Sequence, residues 1–246
     1  MRVRSFAESM ALVSVVIVLA ALAAVAGDPA PKAPAGTAPA QELPPLKTVA
    51  VPESAWTPLF NGKDLEGWKA AGNASFKVED GCLLGTQTDG KGGDIFTTAE
   101  WDNFELRFTY KVGWPANSGV WFRTKYQFDI LDWKKPEALS GTLYCPGKMF
   151  IFANLDKSIE DRAGWNEGQI YANGDRIILW LNGRKTGECS DKTADKGKIG
   201  IQVHGGAEFK DMKVFYKRIE IRPLKPGDPP GEPAAPKKDP PKAGTK

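Results

Sequence analysis

NSGVWFRTKYQFDILD, residues 117–132, holds two alternations of apolar and polar side chains separated by a short polar break. In an extended chain successive side chains point to opposite faces, so Val120 and Phe122 share one face while Trp121 and Arg123 share the other. The second run repeats the pattern, with Tyr126, Phe128 and Ile130 on one side and Gln127 and Asp129 on the other. Both runs read as strands with one apolar and one polar face, as in an antiparallel sheet that covers a core on one side only. The polar faces collect an indole, a guanidinium, an amide and a carboxylate, which equips them to bind a ligand; the plainer reading is a sheet face turned to water.

Outward from this stretch the same period recurs. Phe104 to Tyr110 alternates cleanly, as do Ile199 to Val203 and, in part, Val214 to Ile221. Asp80-Gly81, Asn173-Gly174 and Asn182-Gly183 split such runs and are dipeptides that supply the positive φ angles of tight hairpins. Between Ser54 and Leu224 no segment sustains a helical apolar period beyond a turn or two. The expectation is an all-β domain over residues 54–224, an antiparallel β-sandwich.

The flanks differ in kind. Residues 1–26 carry Arg2 and Arg4, an apolar run from Met10 to Ala24, and Ala24-Val25-Ala26 before Gly27, the pattern of a secretory signal peptide. The run is shorter than the roughly 20 residues of a spanning helix, so the expectation is cleavage, a mature protein with no membrane span, and a secreted, periplasmic or extracellular location, with association to the cell envelope a further option. Residues 27–53 are rich in Pro and Ala and residues 225–246 in Pro and Lys, and both read as extended, disordered spacers. A net charge of +3, spread through the chain without a basic stripe, argues against nucleic acid as a partner. Cys82, Cys145 and Cys189 allow one internal bridge and leave its pairing open. With one histidine in 246 residues a multi-His zinc or iron site is excluded, whereas an oxygen-ligated divalent cation such as calcium is not.

Leu59-Phe60-Asn61-Gly62-Lys63-Asp64-Leu65-Glu66-Gly67-Trp68 resembles the opening of the 3-keto-disaccharide hydrolase domain family, formerly a domain of unknown function, within the concanavalin A-like lectin/glucanase superfamily. The likeness continues through Asn117-Ser118-Gly119, Gly141-Thr142-Leu143-Tyr144, Trp165-Asn166, Leu181-Asn182-Gly183 and Gly200 to Gly205, and closes on Ile219 to Leu224. It implies a jelly-roll sandwich and a sugar substrate whose carbon-3 hydroxyl is already a ketone. The family usually shows Glu-x-Gln-Ile-x-Asp after the NSG segment; here Gln127-Phe128-Asp129 has acid and amide exchanged. Alternate residues on a strand lie about 7 Å apart, so the carboxylate stays on the polar face but moves one repeat along.

A ketone at carbon 3 acidifies the hydrogen on carbon 2, which allows glycoside cleavage by elimination, followed by addition of water to the enone. Such a route needs a base, a group for the enolate oxygen and a proton donor. The expected catalytic residues are His204 or Asp129 as base, Arg123 at the enolate oxygen and Glu167 as acid. Gln127, Gln202 and Asn166 are the expected hydroxyl-orienting groups; Trp121, Trp133 and Trp165 are candidates to stack on a sugar ring, and Asp132 completes the binding set. Asp129, Asp132 and Glu167 are also the oxygen ligands available to a divalent metal, although the sequence demands no cofactor. The partner so implied is an oligosaccharide or keto-sugar. The competing expectation is a non-catalytic, lectin-like carbohydrate-binding module of the cell envelope, which would tolerate a displaced carboxylate more easily.

Overall fold

The structure is a computed structural model that describes residues 43–234; the expected signal peptide lies outside the described residues. Fifteen strands follow in chain order: β1 (Thr57–Pro58), β2 (Trp68–Gly72), β3 (Ser75–Glu79), β4 (Cys82–Thr86), β5 (Gly93–Thr97), β6 (Phe104–Val112), β7 (Asn117–Phe122) and β8 (Tyr126–Lys134). They continue with β9 (Glu137–Cys145), β10 (Met149–Asn154), β11 (Asn166–Asn173), β12 (Arg176–Leu181), β13 (Arg184–Ser190), β14 (Gly200–Val203) and β15 (Lys213–Pro223). One sheet runs β13-β12-β11-β6-β15-β4-β3, with β1 also on β15; the other runs β10-β9-β8-β7-β14-β5-β2. The strand pairs are antiparallel, which makes the fold the expected all-β jelly-roll sandwich. No helix among the described residues is long and apolar enough to cross a membrane.

The alternation in the sequence assigns the inner faces. Phe104, Leu106, Phe108 and Tyr110 of β6 meet Val120 and Phe122 of β7 and Tyr126, Phe128 and Ile130 of β8 in one buried core. Phe108 sits edge-on to Phe128 with ring centroids 5.2 Å apart, a contact that ties one sheet to the other. Each such ring contributes roughly 1.5–3 kcal/mol by leaving water. On β15 the inward parity changes from Val214 and Tyr216 to Ile219 and Ile221. A register shift between Tyr216 and Arg218 inserts one residue there, which is why the alternation of that strand is only partial.

Hairpin chemistry is as expected at Asp80-Gly81 and Asn182-Gly183, where all four residues have positive φ. The third turn is displaced by one residue: Asn173 ends β11 and Gly174-Asp175 makes the connection.

Of the flanking segments, residues 27–42 and 235–246 lie outside the described residues. Residues 43–53 and 225–234, expected as free spacers, lie against the outer face of the eight-stranded sheet. Val49 and Gly231 form a parallel bridge, and the Tyr171 hydroxyl donates to Asp228 O at 2.7 Å. The reason lies in β6, whose outward positions carry Glu105 and Arg107. Glu105 is fully buried and accepts from the Gly231 amide at 3.0 and 3.1 Å, Gln169 Nε2 at 2.7 Å and Arg222 Nη2 at 2.6 Å. Arg107 is held by Glu53 and Glu220 and lies 4.3 Å over the Trp56 ring. Buried charges need such partners, and the terminal segments supply part of them.

Candidate functional site

The outward face of the seven-stranded sheet carries a cavity of about 360 Å³. Its wall and floor come from Asn117 and Trp121 of β7; Gln127, Asp129, Leu131 and Trp133 of β8; Tyr144 of β9; Met149 and Phe150 of β10; and Gln202 with His204 at the end of β14. Registers place these side chains in rows. Asp129 pairs with Gly119, Gly119 with Gln202, and Gln202 with Asp94 of β5. The next row pairs Tyr144 with Gln127, Gln127 with Trp121, and Trp121 with Gly200.

Gly119 makes the floor possible. A Cβ there would fall 2.6 Å from Gln127 Cγ and 2.8 Å from Gln127 Nε2, so the Gln127 side chain lies over the bare glycine. The Trp121 indole donates from Nε1 to Asp94 Oδ1 at 2.7 Å, and its ring meets Tyr144 at 6.2 Å. Phe150 continues this aromatic wall 6.4 Å from Tyr144, and Trp133 stands at the rim, 38% exposed. Aromatic faces beside a few placed polar groups are the usual composition of a small-molecule site.

His204 is exposed at the opposite rim. Its backbone amide donates to Asn117 O at 3.1 Å, and its Nδ1 lies 2.5 Å from Gly205 O. A carbonyl only accepts, so Nδ1 carries a proton, and in the neutral ring Nε2 is the nitrogen with the lone pair. Asp129 is 97% inaccessible to water and makes no hydrogen bond or ion pair among the described residues. Burial alone pushes its carboxyl well above the usual carboxylate range. Asp94 is also pushed up by burial, against the opposing effects of the Trp121 hydrogen bond and the charge of His204. Burial, and then Asp129, push the Tyr144 phenol up. Gln127 Nε2 is buried without a partner. The cavity lining contains no lysine or arginine.

The structure thus brings together His204, Asp129, Trp121, Gln127, Trp133 and Gln202, and separates the remaining expected residues from them. Arg123 begins the β7–β8 turn with φ of 46°, followed by Thr124 at 62°, so the alternation ends before it. Its guanidinium is buried against the carbonyls of Asp102, Gly174 and Ala194 at 2.8, 2.7 and 3.2 Å, and it is neither at the cavity nor paired with Asp129. Asp132 falls on the opposite face from Asp129 by parity and is paired with Lys134 and Arg162 at 2.6 and 2.7 Å. Glu167 and Asn166 lie on β11 in the other sheet. Glu167 accepts from Thr109 Oγ1 at 2.9 Å and pairs with Arg218, while Asn166 binds Asp161 N and Asn182 Nδ2, each at 2.8 Å. Trp165, just before β11, stacks under Lys217 at 4.4 Å. Asp129, Asp132 and Glu167 therefore do not converge as metal ligands, and among the described residues no cluster of three or more His, Cys, Asp or Glu side chains is placed to hold a metal ion. Cys82, Cys145 and Cys189 are free thiols.

The residues that sequence reasoning missed are Asn117, Leu131, Tyr144, Met149, Phe150 and Asp94. Asn117 and Tyr144 stood inside quoted motifs, and the period-2 rule puts Asn117 and Leu131 on the face of Trp121 and Asp129.

Comparison with known proteins identifies the family and bears out the fold. The family described as the 3-keto-alpha-glucoside-1,2-lyase-like domain matches residues 55–222. A 3-keto-disaccharide hydrolase of Bacteroides thetaiotaomicron is 34% identical over 74 residues, which cover 26% of this chain and 26% of that protein. The chain thus matches about a quarter of that relative's length. A crystal structure from Parabacteroides distasonis, described as a candidate glycosyl hydrolase, superposes with a TM-score of 0.53 at 26% identity, covering 69% of this chain and 99% of that one. A Bacillus subtilis protein with a galectin-like fold shares the fold alone, with a TM-score of 0.52 at 14% identity over 72% and 97% of the two chains. Matched in order from residue 55 to residue 222, the chain belongs to the family of 3-keto-alpha-glucoside-1,2-lyase-like domains.

Proposed function

We propose that the protein is an enzyme that cleaves 3-keto-glycosides by elimination and hydration, a net hydrolysis, at the cavity between Trp121, Asp129 and His204. The observation that carries this reading is the placement of the chain's one imidazole at the cavity rim with Nδ1 committed to Gly205 O, which leaves Nε2 as a base. Nε2 takes the hydrogen on carbon 2 and the bonding electrons move onto the ketone oxygen as an enolate. The enolate collapses back to the ketone as carbon 1 and carbon 2 become doubly bonded and the bond from carbon 1 to the leaving oxygen breaks. The proton held on Nε2 passes to that oxygen. Water then adds at carbon 1 of the enone and carbon 2 regains a hydrogen, which gives the free 3-keto-sugar.

Asp129 is the weaker choice of base in this scheme, because burial favours its protonated form over the carboxylate. Hydrolysis by paired carboxylates fits less well. Asp129 and Asp94 stand three strands apart in one row, roughly 14 Å at about 4.8 Å per strand, against the ~5–9.5 Å such pairs use. The aromatic wall also favours a second reading, a carbohydrate-binding module without turnover. We further propose export, with the mature chain starting at Gly27, which the N-terminal mass of secreted protein would check.

Release of free sugar from a 3-keto-glucoside by the purified protein tests the activity. His204→Ala should abolish turnover and retain affinity for the sugar; wild-type protein that binds keto-glucosides and turns none over would leave the binding module standing in its place.

A further inference from the structure

With Arg123 removed from the cavity, the enolate oxygen of the proposed reaction has no guanidinium to meet, and the lining offers no other arginine or lysine. The geometry nevertheless provides two unpartnered groups that point to the same place. Gly119 is the residue directly opposite Asp129 in the β7–β8 register. Facing Cβ positions in such a pair are about 4.5–5.5 Å apart. The Gln127 side chain occupies the space above Gly119, with Nε2 2.8 Å from where a Cβ would be. The amide of Gln127 is thereby laid beside the carboxyl of Asp129, although the two residues are a full repeat apart along β8. Yet no hydrogen bond joins them, and Gln127 Nε2 is buried without any acceptor. Gln127 Nε2, buried without an acceptor, costs about 1–3 kcal/mol while unpaired, and with Asp129 facing the same glycine the two groups can share one oxygen atom placed between them.

We propose that this position holds the ketone oxygen of the substrate, with the Asp129 carboxyl and the Gln127 amide both donating to it, so that the enolate is stabilised by neutral donors. The assignment rests on the keto-glycoside reading above and names the groups that recognise carbon 3. A ketone oxygen accepts two hydrogen bonds and donates none, which matches a site of two donors. An acid kept neutral by its surroundings is competent for this task, because it donates to an oxyanion without first having to be protonated. Burial favours the protonated form of Asp129, the form that can donate. The titratable groups that share the cavity are Tyr144 of β9, which pairs across β8 with Gln127, and His204 beyond β14, with Asp94 of β5 behind Trp121. The exchanged order of acid and amide then preserves the donor pair, since Gln127 and Asp129 still supply one of each on the same face.

The test combines kinetics with a direct view of the carbonyl. On a 3-keto-glucoside, Asp129→Ala and Gln127→Leu should each lower kcat by about 10²–10³ with a smaller change in KM, the loss typical of one oxyanion donor. Asp129→Asn keeps a donor and should lose only about tenfold. In the His204→Ala background, infrared difference spectra of a carbon-13 ketone substrate should show the bound carbonyl shifted to lower frequency, and adding Asp129→Ala should reverse most of that shift. Circular dichroism and binding of the substrate to each variant separate loss of fold from loss of donor, with Gln127→Leu as the second route if Asp129→Ala does not fold. Wild-type turnover with Asp129→Asn as inactive as Asp129→Ala, or an unshifted carbonyl in the His204→Ala protein, would overturn this assignment and leave the proposed reaction standing. Wild-type protein that neither binds nor cleaves any keto-glucoside overturns both.

Discussion

The indole nitrogen of Trp121 donates to the carboxylate of Asp94 at 2.7 Å, across β14, the strand between them. This bond fixes the largest aromatic surface of the cavity floor. Hydrogen bonds to a charged acceptor contribute about 1.5–3 kcal/mol. Asp94→Ala should therefore release the ring and raise KM for a 3-keto-glucoside about tenfold, with kcat within about threefold of wild type. Steady-state kinetics decide the matter: a fall in kcat at unchanged KM would mean that Asp94 acts on the reaction itself and not through Trp121.

Gly119→Ala should be more damaging to activity than its size implies. The added Cβ falls 2.6 Å from Gln127 Cγ and must push that side chain off the floor. Overpacking of this kind costs about 1–3 kcal/mol of stability. The larger effect expected is on kcat/KM, about a hundredfold, because the Gln127 amide is displaced. Denaturant unfolding and kinetics on the same preparation would expose the opposite outcome, full activity in a destabilised protein.

Arg123 belongs to the fold and not to the reaction. Its removal leaves the carbonyls of Asp102, Gly174 and Ala194 without their buried donor, so Arg123→Ala should lose about 2–5 kcal/mol. Below its lowered Tm the folded fraction should turn over at the wild-type rate. A properly folded Arg123→Ala protein with no turnover would contradict the placement.

Asp129 sets an unusual pH dependence of stability. Burial keeps its proton on in the folded state well above the usual carboxylate range, whereas the unfolded chain gives it up above about pH 4. Over that interval the unfolded state binds fewer protons, so this group makes stability fall as pH rises. Asp129→Asn cannot titrate, and it should be more stable than wild type at pH 7, with the advantage closing toward pH 3–4. Urea unfolding at the two pH values measures the difference; an advantage equal at both would show that Asp129 is charged in the fold.

Gly231 is the tight point of the terminal segments. A Cβ there would lie 2.9 Å from Val51 Cγ2 and 3.1 Å from Glu105 Oε2. Gly231→Ala should loosen residues 225–234 and speed their cleavage in limited proteolysis, with turnover unchanged. Equal cleavage rates would mean the segment is held elsewhere.

Much of this molecule is legible in its alternation. The faces of β7, β8 and β14 follow from period two, and with them the convergence of Trp121, Gln127, Asp129, Gln202 and His204 on one side. What alternation cannot say is which sheet a strand joins. Asn166 and Glu167 carry suitable chemistry but sit on β11, paired to β6 and β12. Nor does it announce where a strand stops: Arg123 lies one residue past the end of β7 and its positive φ turns it away. Tyr144, Met149 and Phe150 were missed because an aromatic or apolar side chain lining a cavity has the same signature as one filling a core. Asp94 sits in a short strand behind two glycines, where little pattern exists to read.

The side-by-side order of Gln127 and Asp129 also constrains how this site was reached by single substitutions. Starting from acid then amide, the arrangement its family usually shows, the exchange passes through one of two intermediates. One carries two carboxyls about 7 Å apart in a dry cavity, where ionising either opposes ionising the other. The other carries two amides and keeps both donors throughout. The double amide is the intermediate whose two donors do not depend on pH, and a chain at that stage would read Gln-x-Gln on this strand.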